Sequence, residues 1–268
     1  MVRVCIVSLF RNETVIMKEW LDHYIKEGID TFFLTDNGST DDYMPILDPY
    51  LKTGQVVLNV NPKRYAQKEH LNFFLKDAQK YDWIIVIDLD EFMYARRGYK
   101  TIKDYLKDVP PNVQKIHVPW KLYGSSGHVK QPKSVIQGFI HRRKYPEGLD
   151  QMTMYDSLVE KKTIVRGKNA VCLSAHNSVV KHEPDVILPN KESYAKHDCC
   201  LWVTEKMLNE SYLHLNHYRI QSKEAFKKKQ TRGDAITKQK GIGHLTKKYF
   251  KFFDFKDKID TELKNKKY

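Results

Sequence analysis

The segment Trp83-Ile84-Ile85-Val86-Ile87-Asp88-Leu89-Asp90-Glu91-Phe92 constrains this chain more than any other. An apolar run rich in β-branched residues ends abruptly in two carboxylates one residue apart. Such a run is what a strand covered on both faces requires, and strands of that kind belong to parallel sheets flanked by helices. The carboxyl ends of those strands are where open α/β sheets present ligands. If the strand continues through Asp88 and Asp90, both carboxylates share one face and can meet a single hard divalent cation. A short acidic pair after a strand also serves as a helix cap or a solvated turn.

The first hundred residues repeat the strand-helix alternation. Val2 to Leu9 reads as a first strand, after which Ile16, Met17, Trp20, Leu21 and Tyr24 recur at helical spacing and Gly28 ends the helix. A strand over Thr31 to Leu34 leads into the polar turn Asp36-Asn37-Gly38-Ser39-Thr40-Asp41 and a helix running past Pro45. Gln55 to Val60 is a third strand, Gln67 to Lys80 a helix and Asp82 to Ile87 the fourth strand. This order predicts an α/β fold with a doubly wound, mostly parallel sheet. Its carboxyl edge gathers Ser8 to Glu13, Asp36 to Asp41, Arg64 to Lys68 and Asp88 to Glu91. Neither a Gly-x-Gly-x-x-Gly fingerprint nor a P-loop occurs, so neither of those nucleotide sites is indicated. After Tyr99 the strand signals shorten to Lys115 to Pro119, Phe139 to Arg142 and Thr163 to Val165. Helices near Val203 to Glu210 and Ser222 to Arg232 follow. With no repeat or low-complexity linker, one domain over residues 1–235 and a basic, aromatic, helical C-terminal extension over 236–268 are expected.

The formal charge of +13 would suggest nucleic acid if it were spread over the chain. From Arg219 onward, however, sixteen Lys and Arg face six Asp and Glu, which leaves only +3 for the first 218 residues. No zinc finger, helix-turn-helix or RNP signature accompanies that tail, so no nucleic-acid partner is expected. Lysines interleaved with Tyr249, Phe250, Phe252, Phe253 and Phe255 fit either peripheral contact with an anionic membrane surface or a helix packing its rings on the domain. No stretch of 18 apolar residues and no apolar leader is present, and the four cysteines lack zinc spacing. A cytoplasmic location with reduced thiols is the expectation.

Several motifs then fall in a telling order: Arg11-Asn12-Glu13, Glu19-Trp20 with His23-Tyr24, Thr35 to Asp41, Asp88 to Phe92, and Trp120-Lys121-Leu122-Tyr123-Gly124-Ser125-Ser126-Gly127-His128. Lys162 to Arg166, His176 and Asn216-His217-Tyr218-Arg219 continue the series, with Ser222, Lys223, Phe226, Lys229, Arg232 and Gly233 behind them. Over roughly residues 3–235 this pattern resembles the GT-A glycosyltransferases of the family 2 and family 92 group. Tyr123 stands where that group usually has phenylalanine.

The resemblance implies a Rossmann-like GT-A fold, with residues 1–100 as the nucleotide-binding half and 100–235 as the acceptor-binding half. It implies a hexosyl- or pentosyltransferase that moves a sugar from a nucleoside diphosphate sugar, UDP- or GDP-linked, to a glycan hydroxyl with inversion. Asp90 would bind Mn²⁺ or Mg²⁺, Asp88 would meet the metal or the ribose, and His176, or else His217, would be the third ligand. Mn²⁺ suits a mixed oxygen and nitrogen site. Arg11, Asn12 and Glu13 would lie beneath the ribose and Asp36 at the base edge. Arg64 and Lys68 would meet base or phosphates, and Gly124 would allow close approach of the backbone to sugar or acceptor. The carboxylate base falls among Asp150, Asp156 and Glu160, with Asp156 favoured. A catalytically inactive nucleotide-sugar or glycan-binding module is the alternative, and nucleic-acid binding a more distant one.

Overall fold

The computed structural model describes residues 1–148, 158–181, 185–194, 200–232 and 245–268. Its first half has the predicted alternation: β1 (Val4–Phe10), α1 (Thr14–Lys26), β2 (Thr31–Asp36), α2 (Met44–Lys52), β3 (Val56–Val60), α3 (Gln67–Phe73), α4 (Leu75–Ala78) and β4 (Trp83–Val86). These four strands lie in the order β3-β2-β1-β4, all parallel. Alternate side chains of the central strands enter two cores. Ile6, Phe32 and Ile85 pack with Trp20, Leu21 and Leu47 from α1 and α2, while Val7, Phe33 and Ile84 pack with Leu71, Phe74 and Ala78 from α3 and α4. That division is what winding helices onto both faces produces. The helix expected over Gln67 to Lys80 is broken at Phe74 into α3 and α4.

The second half is more mixed. It contains β5 (Glu91–Ala95), α5 (Ile102–Lys107), β6 (Val113–Leu122), α6 (Val135–Gly138), β7 (His141–Arg142), β8 (Leu158–Arg166), β9 (Ala170–Cys172), β10 (Val179–Val180), β11 (Asp185–Ile187) and β12 (Cys200–Trp202). Then come α7 (Glu205–Glu210), β13 (Leu213–His217), α8 (Lys223–Arg232), α9 (Lys247–Phe253) and β14 (Lys258–Ile259). The sheet continues β4-β8-β6-β13-β5, with β8 antiparallel to both its neighbours and β6 parallel to β13. This carries the parallel carboxyl edge of β1, β2 and β4 directly against β13 and β8, which bring the later motifs to it. The fold is a mixed α/β arrangement, all parallel over β3-β2-β1-β4 and mixed beyond it.

From residue 245 the C-terminal segment forms the helix α9 and then a short strand that pairs with β7 in a two-stranded sheet. Thr246 caps α9 through its side chain, and the rings of this segment turn inward. Phe250 packs on Phe226, Tyr249 on Phe253, and Phe253 on Phe255, leaving Phe252 as the most exposed of the five, at 67%. Of the two readings for these aromatics, packing is therefore where the rings go. Beyond α9, β14 pairs antiparallel with β7, and the chain continues across the domain to reach α1 through Lys266–Glu27 and Tyr268–His23 contacts. No helix among the described residues is long and apolar enough to cross a membrane.

Candidate functional site

The acidic segment is a turn rather than a continued strand. Pairing of β4 with β1 ends at Val86, and the chain folds so that Glu91 N donates to Asp88 O at 3.2 Å while Asp88 N donates to Glu91 Oε2 at 3.0 Å. Helix α1 fastens this turn from below. The Trp20 indole N–H reaches the carbonyls of both Asp88 and Glu91 at 3.1 Å, and the Tyr24 hydroxyl donates to Glu91 O at 3.1 Å while accepting from Met93 N. The neighbouring His23 ring bonds Met93 O at 2.7 Å. The Glu-Trp…His-Tyr motif thus serves the acidic turn: three of its side chains satisfy backbone groups that the broken strand leaves open. Glu19, its first member, instead caps α6 by accepting from Ser134 Oγ and the backbone N–H groups of Val135 and Ile136.

Because the strand stops, Asp88 and Asp90 do not share a face and each meets a different cation. Lys162 on β8, fully buried, donates to Asp88 Oδ2 at 2.7 Å and lies 3.3 Å from Glu91 Oε2. Burial opposes its charge, but the two carboxylates more than offset that and hold its pKa above the ordinary lysine value. Glu91 is pushed up by burial, and its Oε1 has no hydrogen-bond partner among the described residues. On the other side, Lys229 from α8 donates to Asp90 Oδ2 at 2.6 Å, and His217 Nε2 at the end of β13 stands 3.6 Å from Asp90 Oδ1. Burial alone would raise the Asp90 pKa, yet Lys229 and His217 hold it well below the usual carboxylate range. Burial lowers the His217 pKa, favouring the neutral ring.

A cavity of about 600 Å³ lies between the loops that follow β1 and β2, the segment after β13 and α8, whose Lys229 connects it to this turn. Arg11, Arg219, Lys228 and Lys229 outnumber Glu13 and Asp41 around it, so its lining is cationic. Its two loops are bound to each other: Asn12 Oδ1 accepts from Thr40 N, Asn12 N donates to Ser39 Oγ, and Asp41 Oδ2 takes both the backbone and the hydroxyl of Thr14. Asn12 and Gln221, both in the lining, have φ of 54° and 51°, left-handed conformations that cluster at functional sites. Asp41 Oδ1 is buried without a hydrogen-bond partner among the described residues.

The other predicted residues are distributed unevenly. Arg11, Asn12 and Glu13 line the cavity. Asp36 lies just behind it, its two oxygens taken by Ser39 N and the Tyr43 hydroxyl. Arg64 stacks on Tyr65, and Lys68 lines a separate depression with Tyr65 and Asn72. Gly124 has no side chain because the backbone of Phe255 passes where a Cβ would sit, and Ser125 N donates to Asp254 Oδ1 at 2.8 Å. The glycine loop is thus the crossing point of the C-terminal segment. His176 bonds Lys161 O through Nδ1 and meets the ring of Trp120, whose other imidazole neighbour is His217. Among the described residues no three His, Cys, Asp or Glu side chains gather into a metal-holding group. Asp150 and Asp156 lie outside the described residues. Glu160, the third candidate base, sits on β8 two residues before Lys162, hence on the same strand face, with Arg219 3.8 Å away. Lys162, Lys229 and Trp20 have direct roles at the turn that their positions in the motifs did not disclose.

A parallel sheet with an acidic turn at its carboxyl edge, joined through Lys229 to a cationic cavity, defines an α/β protein whose ligand-sized space lies at that edge. The family model for glycosyltransferase family 92 matches residues 1–251, and the chain belongs to that family. Among its relatives is a glycosyltransferase family 92 protein of Oryza sativa subsp. japonica, 24% identical over 240 residues that cover 84% of this chain and 35% of the relative. A family 92 protein of Ricinus communis is 27% identical over 150 residues, covering 54% of this chain and 27% of the relative. The chain therefore spans only about a third or less of the length of these proteins. Among solved structures, S. aureus TarS 1–349 in complex with UDP-GlcNAc is 15% identical, with a TM-score of 0.41, over 62% of this chain and 45% of that one.

Proposed function

We propose that this chain is a metal-dependent glycosyltransferase that moves one sugar from a nucleoside diphosphate sugar to a hydroxyl of a glycan, with inversion. The observation that carries this reading is the acidic turn joined to the cationic cavity through Lys229. Asp90 is held as a carboxylate and His217 as a neutral imidazole, the protonation states a divalent cation needs. Asp90 Oδ1 and His217 Nε2 would hold Mn²⁺ or Mg²⁺, a two-residue set that leaves the remaining positions to phosphate oxygens and water. When bound, the cation supplies charge against the departing diphosphate.

The chain's own groups supply the rest. Arg11, Arg219 and Lys228 give the cavity its affinity for phosphate, as guanidinium and ammonium groups do for such anions. Lys162 fixes Asp88 in place through Oδ2, so that its other oxygen can orient a ribose hydroxyl. The tied loops at Asn12 and Thr40 shape the nucleoside end, and the buried Asp41 Oδ1 is an acceptor facing it. Removal of the acceptor proton needs a carboxylate on the sugar's far side. Asp156, favoured on the resemblance, lies outside the described residues, and Glu160, on the Lys162 face of β8, is the candidate among the described ones.

A thermal-shift panel of UDP-, GDP-, TDP- and CMP-sugars, each with Mn²⁺ and with EDTA, tests the reading. A donor present at 100 times its Kd adds about 2.7 kcal/mol, visible as a higher melting temperature. A shift that requires Mn²⁺ supports both parts of the proposal. A shift indifferent to EDTA removes the cation, and no shift with any sugar nucleotide removes the donor class.

A further inference from the structure

Lys229 is the side chain that belongs to both the acidic turn and the cavity. Its ammonium donates to Asp90 Oδ2 at 2.6 Å and to the Arg219 carbonyl at 3.1 Å, while its side chain, a quarter exposed, lines the cavity. The other oxygen of the same carboxylate, Oδ1, faces His217 Nε2 at 3.6 Å. Asp90 is thus approached by two cation positions, one at each oxygen. A divalent cation between Oδ1 and Nε2 would set three positive charges beside one negative charge in a buried place, where water screens little. A donor diphosphate carrying two negative charges brings that sum to zero.

The neighbouring lysine shows why this matters for Lys229 in particular. Lys162 has no exposure and lies against both Asp88 and Glu91, so it cannot leave its pair. Lys229 has a single carboxylate partner among the described residues, an open cavity beside it, and a flexible four-carbon stem that can redirect its ammonium without moving α8.

We propose that Lys229 is a transferable counter-ion: it competes with the divalent cation for Asp90, and it passes to the diphosphate oxygens when cation and donor enter together. This rests on the donor and cation reading above. It makes cation and nucleotide binding mutually dependent, and by linkage each raises the affinity of the other by the same factor. The competition suppresses cation binding without nucleotide, and the released ammonium strengthens the ternary complex.

The test is Mn²⁺ binding to the full chain, followed by electron paramagnetic resonance, with and without UDP or GDP as the panel selects. Wild type is compared with Lys229→Gln, which keeps a hydrogen bond to Asp90 without the charge, and with Lys229→Arg, which keeps the charge. In wild type the nucleotide should raise Mn²⁺ affinity about tenfold or more. In Lys229→Gln, Mn²⁺ alone should bind about tenfold more tightly and the enhancement by nucleotide should shrink by a similar factor, with Lys229→Arg close to wild type. Mn²⁺ affinity in Lys229→Gln equal to or weaker than wild type overturns the proposal while leaving the cation site standing. A wild type that binds nucleotide but no Mn²⁺ overturns the cation reading, and this proposal with it.

Discussion

Two ionic networks cross this protein, and they are finished to different degrees. One lies under the C-terminal segment. Glu205 accepts from both Arg142 Nη atoms, from Tyr145 N and from Lys258. Asp260 meets Arg142 Nε at 2.8 Å and Lys121 Nζ at 2.6 Å, and Glu262 takes Arg96, Tyr94 and His214. The other lies at the acidic turn, where Glu91 Oε1 and His217 Nδ1 are buried without partners among the described residues, and in the neighbouring cavity loop Asp41 Oδ1 is buried in the same state. A buried polar group left unpaired costs more than a hydrogen bond returns, so a satisfied network holds a fold and an unsatisfied one awaits a ligand. The same residue types thus do structural work in one place and site work in the other.

That contrast breaks most visibly at Asp90. Asp90→Asn should reduce sugar transfer by about a thousandfold or more, the scale seen when a main electrostatic contact to the reacting groups is lost. Its melting should stay cooperative, with a smaller loss of stability than the mirror substitution below, because the partner left behind, Lys229, is a quarter exposed and can be rehydrated. Steady-state turnover beside a melting curve decides it, and retained turnover removes Asp90 from the site. The mirror experiment is Glu205→Gln. Here the loss should appear in stability, about 3–5 kcal/mol in urea denaturation, because the buried Arg142 guanidinium loses its bidentate carboxylate. A loss below 1 kcal/mol would mean that the C-terminal network contributes little.

Acid should find the finished network first. Burial pushes His214 down to about 4, with Lys121 acting in the same direction, and burial pushes His23 down to about 3. Both are partners of the C-terminal segment, through Glu262 and Tyr268. Between pH 6.5 and 4 the unfolded chain binds protons at these rings that the folded chain does not. Stability therefore rises with pH across that window and falls as pH drops through it. Replacing His214 by Gln should shrink the stability difference between pH 7 and pH 4 by about 3 kcal/mol. An unchanged pH slope would place the acid sensitivity elsewhere.

How much of this could be read in the sequence follows the range of the interactions. The strands, the two-sided burial of Trp83 to Ile87 and the loops that meet at the carboxyl edge came from local periodicity. The ending of that strand did not: the turn is imposed by Trp20 and Tyr24, some 67 to 71 positions away. Lys162 and Lys229 pair with Asp88 and Asp90 across 74 and 139 positions, and nothing in their own surroundings marks them apart from other lysines. Gly124 suggested a close approach, but the approaching group is the backbone of Phe255. The C-terminal segment read as surplus charge because much of its order comes from ion pairs with side chains on other elements, Asp260 with Arg142 and Lys121 and Lys258 with Glu205 among them.

The comparison sharpens at the two imidazoles on Trp120. Sequence order favoured His176 as the metal ligand, whereas the geometry puts His217 beside Asp90 and His176 on a backbone carbonyl. His217→Ala should weaken Mn²⁺ binding in the presence of nucleotide about tenfold more than His176→Ala does, on the order of 1.4 kcal/mol. The reverse order would return the ligand role to His176.

The smallest effect on the site tests whether the turn is held from below. Trp20→Phe keeps an aromatic ring in the core and removes the N–H shared by the Asp88 and Glu91 carbonyls together with the ring atoms that carry it. Tyr24 still donates to Glu91 O, so the loss of stability should be about 2 kcal/mol, one net hydrogen bond plus the small cavity left by the smaller ring. If the turn orients Asp90, kcat should fall several-fold more than that stability change implies, with the nucleotide Kd nearly unchanged. Equal small losses in stability and none in kcat would show that β5 and Tyr24 suffice to hold the turn. The unfinished network would then owe its geometry to Lys162 and Lys229 rather than to α1.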